Sequence, residues 1–289
     1  MSDRAAAALL AIRRTSNLPG LSAAAQRIIE RVNAPDVSLA ELAALIEPEP
    51  EIAMSALRMV NSAFFGQPGR VSSIQRAVTL LGVRGVRTVA IVSRLSRMLD
   101  VKAIGNFSAS LLWTHSENVA MTARALASRL RDVDGDDAFV AGLLHDIGYI
   151  LELSVDRRRF ATLVTRTEGG EQDRASQEID LFGASHEDFG GGLCQHWGLP
   201  EQLAAAVANH HAPLQAPLIH RRLTAVVYVA DRLAHAETPA FSLDVAAAPD
   251  PEVLQCLGVS PETLSDVVAH LRDALEAREG SRQTGPAAR

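Results

Sequence analysis

The chain has 289 residues, 47% hydrophobic and 4% aromatic, with two cysteines, Cys194 and Cys256, and a formal net charge of −6. The length suits one large or two small domains, the wealth of alanine and leucine favours helices over sheet, and the acidic balance excludes a general nucleic-acid binder. Two cysteines make no disulfide framework and point to a reducing cytoplasm; the start, MSDRAAAALLAIRR, lacks a full signal-peptide core, and no run approaches the roughly 18 apolar residues of a span, so no membrane contact is expected.

Two helical regions follow in chain order. In the first, Ser38 and Glu41 form an S-x-x-E capping box that starts a helix through LAELAALIE. Pro48 and Pro50 punctuate its end, and Pro50 also suits the first turn of the next helix, IAMSALRMVN. NSAFFGQPGR is a turn whose Phe64 and Phe65 read as core wedges. Ser72 with Gln75 resembles a further capping pair, Gly82 closes that short helix, and a longer one runs from about Arg84 to Leu99. Arg84, Arg87, Arg94 and Arg97 share a broad face, read as solvated rather than as a phosphate site, and Arg157, Arg158 and Arg159 are read the same way.

After a linker at DVKAIGN, Leu112, His115, Val119 and Thr122 fall on one helical face. A helix from Asp136 to Leu144 ends at His145-Asp146, where Gly148 can stop it. Residues 154–183 are charged, less periodic and broken by Gly169-Gly170. Ser185 with Asp188 caps a helix from His186 to Trp197; EQLAAAVANHH then ends in His210-His211, and Leu218–His235 is a helix containing Asp231. Ser260-Pro261 starts a last helix through Leu275, and residues 279–289 read as disordered. No strand and no fixed-period repeat is expected.

His115, His145, Asp146, His186, His210, His211 and Asp231 are seven metal-type ligands spread over 107–236, the pattern of a pocket built from the inner faces of a helical bundle. Each has a plainer reading. His115 could be a hydrogen-bonded core histidine, and Asp231 could pair with Arg221, Arg222 or Arg232 on a solvated face. His186 could be a helix-start residue, and His210 and His211 helix-end cations. Glu187 and Asp188 read as first-turn acids, Tyr149 as a half-buried packing residue, and His196, His220, His235 and His270 as surface residues.

In order and context these segments resemble the HDOD family: LPGLSAAAQRIIE, SLAELAALIEPEPEIAMSALRMVNSAFFG and SIQRAVTLLGVRGVRTVAI in the first region; LLWTHSENVA, AFVAGLLHDIGYILE, ASHEDFGGGLCQHWGLPEQLAAAVANHH and VYVAD in the second. The resemblance implies an all-α fold, with a helical N-terminal subdomain (15–100) packed on an HD-type bundle (107–236). Around these lie an N-terminal extension (1–14), a C-terminal helical extension (237–278) and a tail (279–289). It implies a bacterial cytoplasmic signal-transduction protein acting through protein partners.

The wider HD superfamily places metal on residues matching His115, His145, Asp146 and Asp231, and the related HD-GYP phosphodiesterases, which cleave cyclic di-GMP, add histidines matching His186, His210 and His211. On that likeness the pocket takes a divalent metal, up to two ions of iron, manganese or zinc. Asp146 is the natural bridge, since a carboxylate spans ions about 3.5–4 Å apart. The alternative activity is a metal-dependent phosphohydrolase with a nucleotide or cyclic dinucleotide ligand and His145 and Asp146 at its catalytic centre. The chain departs from active phosphodiesterases in two places. Tyr149 stands where they carry lysine after HDIG, and APLQAP follows His210-His211 with no GYP motif.

Overall fold

Several helices begin at a residue whose side chain caps the first turn, among them Ser22, Ser38, Asp134, Ser185 and Asp250. The computed structural model describes residues 21–61, 70–98, 102–167, 173–238 and 248–283 with Arg4 and Ala8; the side chains of 94–98 and 277–283 are not among them. Among the described residues every regular element is helical, and the only β pairing is one isolated bridge, Ile104 to Phe107. The fold is all-α, as expected. Two compact units divide the chain: residues 20–97 with 269–289, and residues 1–19 with 98–268.

In the first of these units, α1 (Ala23–Val32) starts at Ser22, whose hydroxyl accepts the Ala25 N–H at 3.1 Å, and buries Ile28, Ile29 and Val32. α2 (Leu39–Ile46) starts at Ser38, which accepts the Glu41 N–H at 3.2 Å. The return arm of the expected capping box is replaced, because the Glu41 carboxylate takes the Arg31 Nη2–H at 2.9 Å and pairs with the guanidinium, 2.7 Å from Nε. α3 (Pro50–Val60) carries Pro50 in its first turn as read. Asn61 then clamps the chain: its amide donates to Leu57 and Val71 carbonyls, both at 2.8 Å, and its oxygen accepts the Val71 N–H at 2.7 Å. Phe64 and Phe65 lie outside the described residues.

α4 (Ile74–Met98) is kinked at Gly82, whose φ of 68° is open to glycine and strained for other residues. Ser73, rather than Ser72, supplies its cap by accepting the Arg76 N–H at 3.4 Å. Arg87 is buried while Arg84 is exposed, so the arginines do not form one solvated face; the Arg94 and Arg97 side chains lie outside the described residues.

The second unit contains α5 (Ala109–Ala127), α6 (Gly135–Leu144), α7 (Ile147–Val155), α8 (Arg157–Thr167), α9 (Arg174–Phe182), α10 (His186–His196), α11 (Glu201–Ala208), a 3₁₀ turn (Pro213–Gln215), α12 (Arg221–Glu237) and α13 (Pro251–Leu257). α14 (Pro261–Gln283) begins there and continues past Leu275, so residues 279–283, read as tail, are helical. The charged stretch 154–183 holds two helices, because Phe160, Leu163, Val164 and Thr167 make a buried stripe at helical spacing. Gly169 and Gly170 lie outside the described residues.

α5 packs on α6 and α12, and α10 packs on α7 and α11, which turns their inner faces toward one another. Leu112, Val119, Ala123 and Leu126 of α5 are fully buried or nearly so; a leucine or valine taken fully from water stabilises the fold by about 1.5–3 kcal/mol. One expectation fails here. The stretch Gly135–Val155 does reach the length and hydropathy of a span (21 residues, mean hydropathy 1.4), but 83% of it is buried inside the molecule. Its apolarity is that of a core helix pair covered on every side. Both cysteines are free, and burial pushes the Cys194 thiol up to about 12.

Candidate metal centre

α6 ends and α7 begins at His145-Asp146, the C-cap of one helix and the N-cap of the next. Gly148 does not stop a helix there but sits in the first turn of α7, where a Cβ would overlap the His186 carbonyl. Its missing side chain lets the start of α7 approach the start of α10. Asp146 makes no side-chain cap bond, so its carboxylate is released from the usual N-cap task and turned into the core, 1% exposed.

Two histidines at helix ends fold back in the same way. The His145 Nδ1–H donates to the Gly142 carbonyl at 2.8 Å, and the His210 Nδ1–H donates to the Val207 carbonyl at 2.8 Å. His186, in the first turn of α10, is held by Glu178 of α9. One carboxylate takes its backbone N–H at 2.8 Å and its Nδ1–H at 2.8 and 3.0 Å. A carbonyl or carboxylate on Nδ1 fixes the tautomer and leaves Nε2 as a lone pair. All three Nε2 atoms face Asp146: His145 at 3.1 Å from Oδ2, His210 at 3.5 Å and His186 at 3.8 Å from Oδ1.

The seven residues named from sequence converge in two groups. His115 and His145 meet Asp146 on one side, with Asp231 Oδ1 3.0 Å from His115 Nε2 and 3.7 Å from His145 Nε2. His186, His210 and His211 meet it on the other, with His186 Nε2 lying 3.4 Å from His210 Nε2 and 3.1 Å from His211 Nε2. The solvated-face reading of Asp231 is excluded. Asp231 is buried against His115, while Arg221 bonds the Ala216 carbonyl, Arg222 bonds the Cys256 carbonyl and Arg232 lies over the Tyr228 ring.

Burial alone would raise the Asp146 carboxyl, but the His145, His210 and His186 imidazoles facing it hold it well below the usual carboxylate range. Asp231 is lowered likewise by His115 and His145 against its burial. Burial opposes a charged His210, yet Asp146 and Glu187 push it up to about 9; Glu178 raises His186 in the same way. Neither Asp146 oxygen receives a hydrogen bond among the described residues. Lone pairs set against lone pairs around a buried carboxylate call for protons or a cation, and both groups are consistent with a divalent metal site.

Sequence reading missed part of this shell. Glu178, completely buried, lay in a stretch whose charge concealed it; its only signal was an acid one residue before the apolar Ile179, eight before His186. His235, read as a surface residue, is buried with its ring edge-to-face on His115 at 6.0 Å; its spacing of four from Asp231 was the available clue. Glu187, a first-turn acid as read, also accepts the His211 N–H at 3.1 Å. Tyr149, expected half-buried, is fully buried, stacked on His186 at 4.2 Å with its hydroxyl accepting from Arg174 at 2.6 Å. Asp188 completes the capping box with Ser185 as read.

The HDOD domain family matches residues 18–213. The chain belongs to the HDOD family. The match ends before Asp231, which stands on α12 beyond it. A Geobacter sulfurreducens HDOD domain protein of unknown function is similar over 96% of both chains at 26% identity and a TM-score of 0.77. A Shewanella amazonensis protein, described provisionally as a phosphohydrolase, is 25% identical over 92% of this HDOD chain and 93% of its own, with a TM-score of 0.71. A curated but uncharacterised Treponema pallidum protein is 27% identical over 78% of this chain, which spans 44% of that relative's length.

Proposed function

We propose that this HDOD protein is a bacterial regulator whose HD-type pocket holds two divalent ions, and that occupancy of the pocket sets its contact with a protein partner. The observation that carries the metal centre is the Asp146 carboxylate, buried between two groups of imidazole Nε2 atoms with no hydrogen bond to either oxygen among the described residues. His115, His145 and Asp231 would hold one ion, His186, His210 and His211 the other, and Asp146 would touch both. A bound divalent pair supplies an acidified water and a clamp for a phosphoryl group. The chain's own part is orientation: Gly142, Val207 and Glu178 fix the rings through Nδ1, and the surrounding core keeps bulk water out. Tyr149 favours regulation over turnover, because the position after HDIG carries a ring stacked on His186 instead of a cation free to meet phosphate.

The test is elemental analysis of protein purified without chelator and with manganese, iron or zinc added back, beside Asp146→Ala. About two ions per chain are expected in the parent and neither in the variant. A parent that takes up no metal, or a variant that keeps it, overturns the centre. For regulation, partner binding must change with Asp146→Ala; indifference overturns that reading.

A second reading, hydrolysis of a phosphoester, is favoured by the shared carboxylate itself, the arrangement that in-line attack between paired ions uses. It predicts metal-dependent turnover of a mono-, di- or cyclic nucleotide that Asp146→Ala abolishes, and no turnover across such a panel overturns it.

A further inference from the structure

Beside the metal centre lies a polar cavity of about 380 Å³. Ser185, Glu187 and Asp188 line it from the start of α10, on either side of His186; Ala208 at the end of α11 and Asn209, Ala212 and Gln215 of the segment after it line the other side, around His210-His211, and Arg4 contributes a cation. The wall and the centre share a residue: Glu187 Oε1 accepts the His211 N–H at 3.1 Å and lies 3.9 Å from His210 Nδ1.

The wall carries open acceptors beside its donor side chains, Arg4 and Gln215. Asp188 spends Oδ2 on the Ser185 N–H and hydroxyl, and Glu187 spends Oε1 on His211. Asn209 donates its amide N–H to the Ala205 carbonyl at 2.8 Å. That leaves Glu187 Oε2, Asp188 Oδ1 and Asn209 Oδ1, three acceptor oxygens with no donor among the described residues. Two carboxylates repel a phosphate but accept readily from hydroxyl groups, as acidic side chains do from ribose. A cavity of this volume is at the small end for organic ligands, large enough for a sugar or a nucleoside.

We infer that this cavity is the subsite for the sugar end of a phosphoester whose phosphate meets the metal centre, its hydroxyls donating to Glu187, Asp188 and Asn209. The inference rests on the metal centre proposed above and adds where the organic part sits and which chemistry it presents.

The experiment is calorimetric titration of the manganese-loaded full chain with ribose 5-phosphate, phenyl phosphate and inorganic phosphate. Manganese content is measured in the same samples. Ribose 5-phosphate is expected to bind at least tenfold more tightly than either other probe. Ala212→Trp, which fills the cavity, should abolish that preference with manganese still bound; Asn209→Leu, which removes one acceptor, should lower it severalfold. Equal affinities for the three probes in loaded protein, or a preference that survives both substitutions, overturns the subsite alone. A chain that takes up no manganese overturns the centre, and with it a subsite defined by that centre.

Discussion

Glu178 holds His186 through both its backbone and its ring, so one carboxylate sets where the helix starts and which nitrogen faces inward. Glu178→Gln keeps the shape and removes the charge. The expected result is a folded protein whose manganese affinity falls by about 10–100-fold, read by chelator competition; parent-like affinity would mean that packing alone aims the ring. Glu152 is a different kind of buried acid. Its burial, then the charge of Glu178, raise its carboxyl well above the usual 4.5 against the opposing charge of Arg174. A raised pKa means that the folded state keeps a proton which the unfolded chain releases above about pH 4.5. This group's contribution is therefore full below that pH and is lost as pH climbs toward the folded value, at up to about 1.4 kcal/mol per pH unit. Glu152→Gln should gain stability relative to the parent as pH rises from about 5 to 7, followed by urea unfolding; parallel pH profiles would refute it. The residues that cluster were legible in sequence because histidine and aspartate are scarce in apolar helices, so each one stood out. Glu178 and His235 were not, because an acid in a charged stretch and a histidine near a helix end both have ordinary solvated readings; only packing reveals their burial.

At the scale of elements, the close approach of α7 and α10 rests on Gly148, and that of α10 and α11 on Gly190 and Gly191, where added Cβ atoms would meet Val207 and Ala208 side chains. The Val207 methyl can turn aside only at a cost, and the Ala208 Cβ, like the His186 carbonyl facing Gly148, is fixed to the backbone. Gly148→Ala should destabilise the protein by about 3 kcal/mol and lower manganese content with it, since it separates Asp146 from His186. Chemical denaturation and elemental analysis check both, and parent values for each would show that α7 shifts freely. Helix starts were readable where a serine stands three residues before an acid, as at Ser38 and Ser185, whereas the caps at Ser22, Asp134 and Asp250 were not read. Gly148 was misread as a stop because glycine's two uses, ending a helix and admitting a neighbour, look identical in one dimension. The 135–155 run was underrated for the opposite reason: its polar His145-Asp146 breaks the apolar pattern, although both flanks are core.

For the whole molecule, metal should stabilise only what it touches. Filling the centre at 100 times the dissociation constant adds about 2.7 kcal/mol per ion to the native state. Hydrogen exchange should slow in 109–127, 145–155, 186–211 and 221–237 on adding manganese and stay unchanged in 23–60; uniform slowing would place the ions' influence elsewhere. The clustered residues are drawn from far apart: His115 and Asp231 stand 116 positions from each other yet meet at 3.0 Å. On the ribosome, at roughly 5–20 residues per second, the first ligand therefore waits on the order of ten seconds for the last to be made. Through that interval the nascent chain carries histidines with no finished pocket, and a metal captured early can be held only partially. On the proposed ligand set, the group of His115, His145 and Asp231 is closed only once α12 is made, so a chain whose synthesis stops short of it would lack that half of the centre.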